Sequence, residues 1–178
     1  MKKGGGKNKG SQWEREISKT LSLWISYDTN PHIFWRSASS GAKATINSKN
    51  KGKKDSMQCG DLAAVDPCGA DFISKFYVEL KFYKNLHMES LIYGTPAKNS
   101  ILEFWTKAQE QAQEYNKIPL LIAKQNQHEI IVITNSVGRD LFWDWWGSPE
   151  TYTLIPHLNL TLFDFKWIID YCGPEVMK

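Results

Sequence analysis

The residues best suited to chemistry stand near the middle of the chain. Ser74 to Tyr83 reads as a strand in which Phe76, Val78, Leu80 and Phe82 alternate with Tyr77, Glu79, Lys81 and Tyr83. A carboxylate and an ammonium therefore share its polar face. Asp61 stands at the mouth of the preceding strand, Leu62 to Val65. If the two strands pair through the turn-forming run Asp66-Pro67-Cys68-Gly69, Asp61 approaches Glu79 near one end of the sheet. Two carboxylates that close repel each other unless a proton or a cation intervenes. Hard oxygen ligands suit Mg2+, which keeps waters able to attack a phosphorus atom, and Lys81 is then placed to orient such a water and to stabilise charge on a pentacovalent phosphate. Taken singly, the same residues also describe something plainer: an ExK pair on a strand is a cross-strand salt bridge or a solvated face, and Asp61 is a turn residue.

The elements that must position these groups are legible from periodicity. Trp13, Ile17, Leu21 and Trp24 recur at helical spacing, so a helix is expected from about Gln12 to Ser26, with Ser11 as N-cap and Glu14 completing a capping box. His32 to Arg36 reads as a short strand, and the basic segment from about Ser37 to Cys59 as a loop. A second helix, about Ser100 to Asn116, carries Ile101, Phe104, Trp105, Ala108, Ala112 and Tyr115, with Pro119 just beyond its end. Pro119 to Lys124 and Glu129 to Thr134 are expected as strands joined by the polar turn Gln125 to His128. The stretch after Asn135 holds Phe142, Trp143, Trp145 and Trp146, then a strand-like Asn159 to Phe163 and a helical Phe165 to Tyr171. It is too short to build a good core alone and reads as a packed extension of one domain over residues 11–178, behind a flexible basic tail over residues 1–10.

Composition narrows the function classes. The 178 residues are 42% hydrophobic and 13% aromatic, enough for one globular domain with a sizeable core. No apolar run approaches the roughly 20 residues of a membrane helix. The start MKKGGGKNKG has charge but no apolar stretch behind it, so a cytosolic setting is expected. Cys59, Cys68 and Cys172 have no CxxC spacing and read as free thiols. His32, His87, His128 and His157 lack HExxH or zinc-finger spacing, and there is no GxxxxGK[ST] phosphate loop. Charge is asymmetric: residues 1–60 hold 12 Lys+Arg and 4 Asp+Glu, net +8, whereas residues 61–178 hold 10 and 15, net −5. The basic clusters, Lys2, Lys3, Lys7 and Lys9 among glycines and Lys43, Lys49, Lys51, Lys53 and Lys54 in a Ser/Asn/Gly-rich stretch, suit a polyanion or serve as solubilising segments.

Together, Gly60-Asp61 followed by Glu79-Leu80-Lys81 resembles the PD-(D/E)xK nuclease superfamily, with Gly where the motif has Pro. The opening Lys9-Gly10-Ser11-Gln12-Trp13-Glu14-Arg15 resembles the first helix of archaeal Hjc-type Holliday junction resolvases, in which KGSxxER carries a catalytic glutamate. Arg36 with Ser39-Ser40-Gly41, Gln109 in the second helix, and Pro119 to Lys124 resemble further parts of that family, so the likeness spans about residues 9–134. The segment from Gly41 to Gly60 is longer than the family's loop, and the aromatic C-terminal extension has no counterpart.

The resemblance implies an α/β fold with an αβββαβ core, a central mixed sheet flanked by helices. It implies a homodimer that binds branched DNA, four-way junctions above all, and hydrolyses phosphodiester bonds with Mg2+, or Mn2+ in its place. Carried over by position, Glu14, Asp61, Glu79 and Lys81 form the catalytic set, Asp61, Glu79 and Glu14 hold the metal, Ser40 is a further catalytic candidate near the scissile phosphate, and Gln109 supports the site from the second helix. Lys7, Lys9, Arg15, Arg36, Lys43, Lys49, Lys51, Lys53 and Lys54 are the expected DNA contacts. The extra length suggests a bacteriophage origin. Two other readings use the same residues: a restriction-type or repair nuclease acting on linear or single-stranded DNA, and a noncatalytic DNA-binding protein that keeps the fold.

Overall fold

The computed structural model describes residues 5–37, 58–146 and 152–174, with side chains from Lys9 onward and, in the helix that ends at Trp146, up to Trp143. Ser40, Lys43, Lys49, Lys51, Lys53 and Lys54 lie outside the described residues, as do Lys2 and Lys3 and the side chains of Lys7, Trp145 and Trp146.

Helix α1 spans Gly5–Ile25 and buries Trp13, Ile17, Leu21 and Trp24 on one stripe, as their spacing predicts. Its start overturns the expected cap. Ser11 lies inside the helix, so the capping box with Glu14 does not form, and Gly5 to Gly10 are helical. Glycines disfavour this by about 1 kcal/mol each. Tertiary contacts offset the cost: Lys9 Nζ donates to Asn126 Oδ1 at 2.5 Å and lies 3.8 Å over the Phe82 ring, fastening the first turns to the sheet.

Strands β1 (Phe34–Arg36) and β2 (Leu62–Ala64) form an antiparallel ribbon, pairing Phe34 with Ala64 and Arg36 with Leu62. The expected hairpin from β2 into the next strand does not occur. Pro67–Gly69 forms a 3₁₀ turn capped by the Asp66 carboxylate, which accepts from Cys68 N–H at 2.9 Å, and helix α2 (Ala70–Lys75) follows before β3 (Phe76–Tyr83) begins. Asp61 carries the connection instead. Its N–H donates to Val78 O at 2.8 Å while its carbonyl accepts from Ser37 N–H at 2.9 Å, so β1, the mouth of β2 and β3 are stitched together at this one residue.

A one-turn helix α3 (Ser90–Tyr93) and helix α4 (Ile101–Glu114) lead to β4 (Ile118–Gln125), which pairs parallel to β3 in a β-α-β crossover. The Ser100 hydroxyl caps α4, accepting from Glu103 N–H at 3.1 Å. Strand β5 (Ile130–Thr134) returns antiparallel to β4. The aromatic extension adds helix α5 (Ser136–Trp146), strand β6 (Tyr152–Ile155), strand β7 (Leu160–Asp164) and helix α6 (Phe165–Tyr171). The sheet order is β3-β4-β5-β7-β6, so the extension continues the main sheet. Phe142 is buried between Phe76 and Phe163, and the Trp143 ring is taken up by Tyr152 and by Arg139, whose guanidinium lies 4.6 Å from it.

Two apolar layers clamp the sheet. On one face α1, α5 and α6 cover Phe76, Val78, Leu80, Ile122, Val132 and Phe163. On the other, Ile101, Leu102, Phe104 and Trp105 of α4 cover Leu121, Ala123 and Ile133. This is the mixed α/β architecture with a helix-flanked mixed sheet that the family resemblance implies. Strand β3 lies at the edge of the five-stranded sheet, leaving its outer side open to Asp61.

Candidate active site

The site forms where α1, β1, the turn before β2 and the edge of β3 meet. On α1 the row Glu14, Ser18, Ser22 repeats every four residues and faces β1. The two serines are small, and each turns its hydroxyl back to the carbonyl four residues earlier at 2.7 Å. The strand can therefore approach closely enough for Phe34 N–H to donate to Ser22 Oγ at 2.8 Å. Arg36, two residues on, reaches Glu14 and forms an ion pair through Nε. Glu14, freed from capping, thus faces the site.

Gly60 explains the departure from Pro in the motif. Its φ is +76°, whereas proline is locked near −65°. A Cβ at this position would lie 2.5 Å from Val78 O. The close approach is what lets Asp61 join β3, its Oδ2 accepting from Leu80 N–H at 2.8 Å. Gly60→Ala is expected to destabilise the fold by about 2 kcal/mol, a fall in Tm of about 4–8 °C, and to cut activity by moving Asp61. Thermal denaturation of the variant checks this, and an unchanged Tm would show that the backbone accepts a Cβ there.

On β3 the alternation holds: Phe76, Val78 and Leu80 enter the α1 core, while Tyr77, Glu79 and Lys81 face the other way. Lys81 Nζ pairs with Glu79 Oε1, lies 3.7 Å from Asp61 Oδ2, and donates to the Leu80 carbonyl at 3.3 Å. Three oxygens thus converge on one cationic atom. Burial raises the pKa of Glu79, and the Asp61 charge raises it further, with Lys81 and Tyr77 opposing. Burial likewise raises Glu14, helped by Asp61 and opposed by Arg36 and Lys81. Burial works against a charged Lys81, yet the Glu79 and Asp61 carboxylates outweigh it and hold its pKa above the ordinary value. Glu14, Asp61, Glu79 and Lys81 therefore share one electrostatic environment.

The remaining expected residues fare differently. Gln109 is half-buried on α4, and Gln111 two residues later, about 200° further round the helix, is the glutamine that meets Tyr77. Gln111 Oε1 accepts from the Tyr77 hydroxyl at 2.6 Å, and that hydroxyl lies 3.5 Å from Glu79 Oε2. Periodicity contained a signal for Tyr77, which shares a face with Glu79 and Lys81. Arg15 is exposed on α1, and Lys9 is held by Asn126.

A family model described as "Phage putative PDDEXK endonuclease" matches residues 5–150, most of the chain, a range that includes Glu14, Asp61, Glu79 and Lys81. The chain belongs to this phage PDDEXK endonuclease family. No curated protein and no solved structure matches it. Nucleases of this class use divalent metals and bind DNA. Among the described residues, no three Asp, Glu, His or Cys side chains are grouped as a ready metal cage. The donor chemistry fits all the same, because the oxygens of Asp61, Glu79 and Leu80 already surround the single positive charge of Lys81. No described helix of the nuclease is long and apolar enough to cross a membrane.

Proposed function

We propose that this nuclease is a Mg2+-dependent endonuclease selective for branched DNA, a Holliday junction resolvase acting as a homodimer. The observation that carries the reading is the pairing of Asp61 and Glu79 with Lys81 on the edge of β3, beside the Arg36–Glu14 ion pair. Glu14 belongs to the KGSxxER opening that resembles the resolvases, and its charge is felt in the same site as the superfamily motif.

In this reading Asp61 and Glu79 hold the cation, with the Leu80 carbonyl and Glu14 beside them. A bound Mg2+ supplies Lewis acidity toward the phosphate and lowers the pKa of a water. Lys81, partly buried, aligns that water and donates toward the charge that develops on the phosphoryl oxygens. Arg36, with 40% of its side chain exposed, exchanges its contact with Glu14 for a DNA phosphate and so releases Glu14 to the site. The net +8 of residues 1–60 supplies salt-sensitive backbone attraction. Two such sites related by a twofold axis would cut opposed strands of a four-way junction.

The test is cleavage of a labelled synthetic four-way junction beside a linear duplex of the same sequence, with Mg2+ or EDTA, by wild type and Asp61→Ala. Paired, metal-dependent cuts in the junction, lost in the variant, are expected. Equal cutting of the duplex would replace junction selectivity with general or restriction-type cleavage. Binding without any cutting would replace catalysis with an architectural role.

A further inference from the structure

Beneath the site lies a third, separate cluster made by Cys59, Tyr77 and Ala112, with Tyr115 packed against it. Tyr77 is 5% exposed, and its ring stacks near Tyr115 at a centroid distance of 6.2 Å. It is wedged between the two arms of the site. Cys59 leads through Gly60 into Asp61 on one side, and Glu79 follows two residues along β3 on the other. A ring so confined aims its hydroxyl along a fixed line. That line ends on two acceptors, Gln111 Oε1 at 2.6 Å and Glu79 Oε2 at 3.5 Å.

A phenol has one proton and cannot donate it to both. Glu79 Oε1 is held by Lys81, and among the described residues the Tyr77 hydroxyl is the side-chain donor within reach of Oε2. Gln111 is exposed, and its terminal amide can turn to offer N–H to the phenol oxygen, which leaves the phenol proton to Glu79. No atom of the reaction passes through Tyr77.

We infer that Tyr77 is the positioning residue of Glu79: its hydroxyl passes from Gln111 to Glu79 Oε2 when Lys81 turns to its work, and so keeps the carboxylate aimed at the cation. This rests on the nuclease reading of the site. It also differs from the plainer role of the same bond, a link between β3 and α4, in a way that two variants separate. Tyr77→Phe and Gln111→Ala both remove that link, yet only Tyr77→Phe takes the phenol donor from Glu79 Oε2. In Gln111→Ala the phenol proton has Glu79 as its remaining acceptor.

The experiment measures Mn2+ binding by electron paramagnetic resonance, together with kcat and KM for DNA cleavage, on wild type, Tyr77→Phe and Gln111→Ala of the full chain. Tyr77→Phe is expected to weaken Mn2+ binding and lower kcat by about tenfold each, with KM for DNA unchanged, as loss of an outer partner of a metal ligand does. Gln111→Ala is expected to stay near wild type in both. Equal losses in the two variants would reduce the contact to a strand–helix link, and wild-type values in Tyr77→Phe would remove it from the site altogether. A wild-type protein that neither binds Mn2+ nor cuts DNA would instead overturn the nuclease reading, and the positioning role with it.

Discussion

Asp61→Asn is expected to abolish cleavage while making the metal-free protein more stable. Asp61 and Glu79 both pair with Lys81, while Glu14 pairs with Arg36. Asp61 raises the pKa of both glutamates, so its charge is unfavourable to each of them. A carboxylate whose pKa is raised on folding weakens the fold at neutral pH, and the penalty fades as the pH falls through the raised value and the group takes up a proton. Asparagine keeps an oxygen for the Leu80 N–H, which donates to Asp61 at 2.8 Å, and leaves two carboxylates facing two cations. The Tm in EDTA is therefore expected to rise. Cleavage should fall about a thousandfold or more, because one of the two carboxylates proposed to hold the cation has lost its charge. Thermal scans in EDTA beside single-turnover cleavage in Mg2+ decide it. A lower Tm in EDTA would mean that Asp61 contributes more through Lys81 than it costs through the glutamates.

How much of this was readable beforehand depends on whether the signal was local. Glu79 and Lys81 were legible because alternation along one strand fixes which side chains share a face, and the structure keeps that alternation. Glu14 stood out by its motif, and the expected cap with Ser11, which left it able to point into the site, does not form. What decided its direction was the serine row that lets β1 close on α1, a contact between segments 12 residues apart. The partner of β2 was not legible. Strand pairing is non-local, and the intervening helix Ala70–Lys75 has only six residues, too few for periodicity to register. Helix α5 was masked by its own aromatic residues, although Asn135, whose side chain accepts from Gly138 N–H at 3.0 Å, is an N-cap signal. Gln111 escaped notice because a family likeness pointed to Gln109, and only the packing of Ala108 and Ala112 against the sheet decides which flank of α4 meets Tyr77.

Lys81→Met should separate two properties that most active-site changes lose together. The Lys81 ammonium lies where Glu79 Oε1, the Leu80 carbonyl at 3.3 Å and Asp61 Oδ2 at 3.7 Å converge. Three oxygens about one point suit a cation, and the lysine ammonium holds that point. Removing one partner of a buried ion pair leaves the others uncompensated, so the variant is expected to lose about 3 kcal/mol of stability in EDTA. A divalent ion then meets carboxylates with no competing charge. One unit charge at about 4 Å is worth about 4 kcal/mol at an effective dielectric constant of 20, so even partial relief tightens Mn2+ binding by about tenfold or more. Cleavage moves the opposite way, falling by about a thousandfold, because no ammonium remains to align the water or to meet charge on the phosphoryl oxygens. The expected signature is therefore tighter Mn2+ binding, a Tm that is low in EDTA and recovers when Mn2+ is added, and no product. If Mn2+ affinity falls with cleavage, Lys81 orients the ligands rather than standing in for the ion, and the convergence of three oxygens on its ammonium belongs to a salt bridge alone.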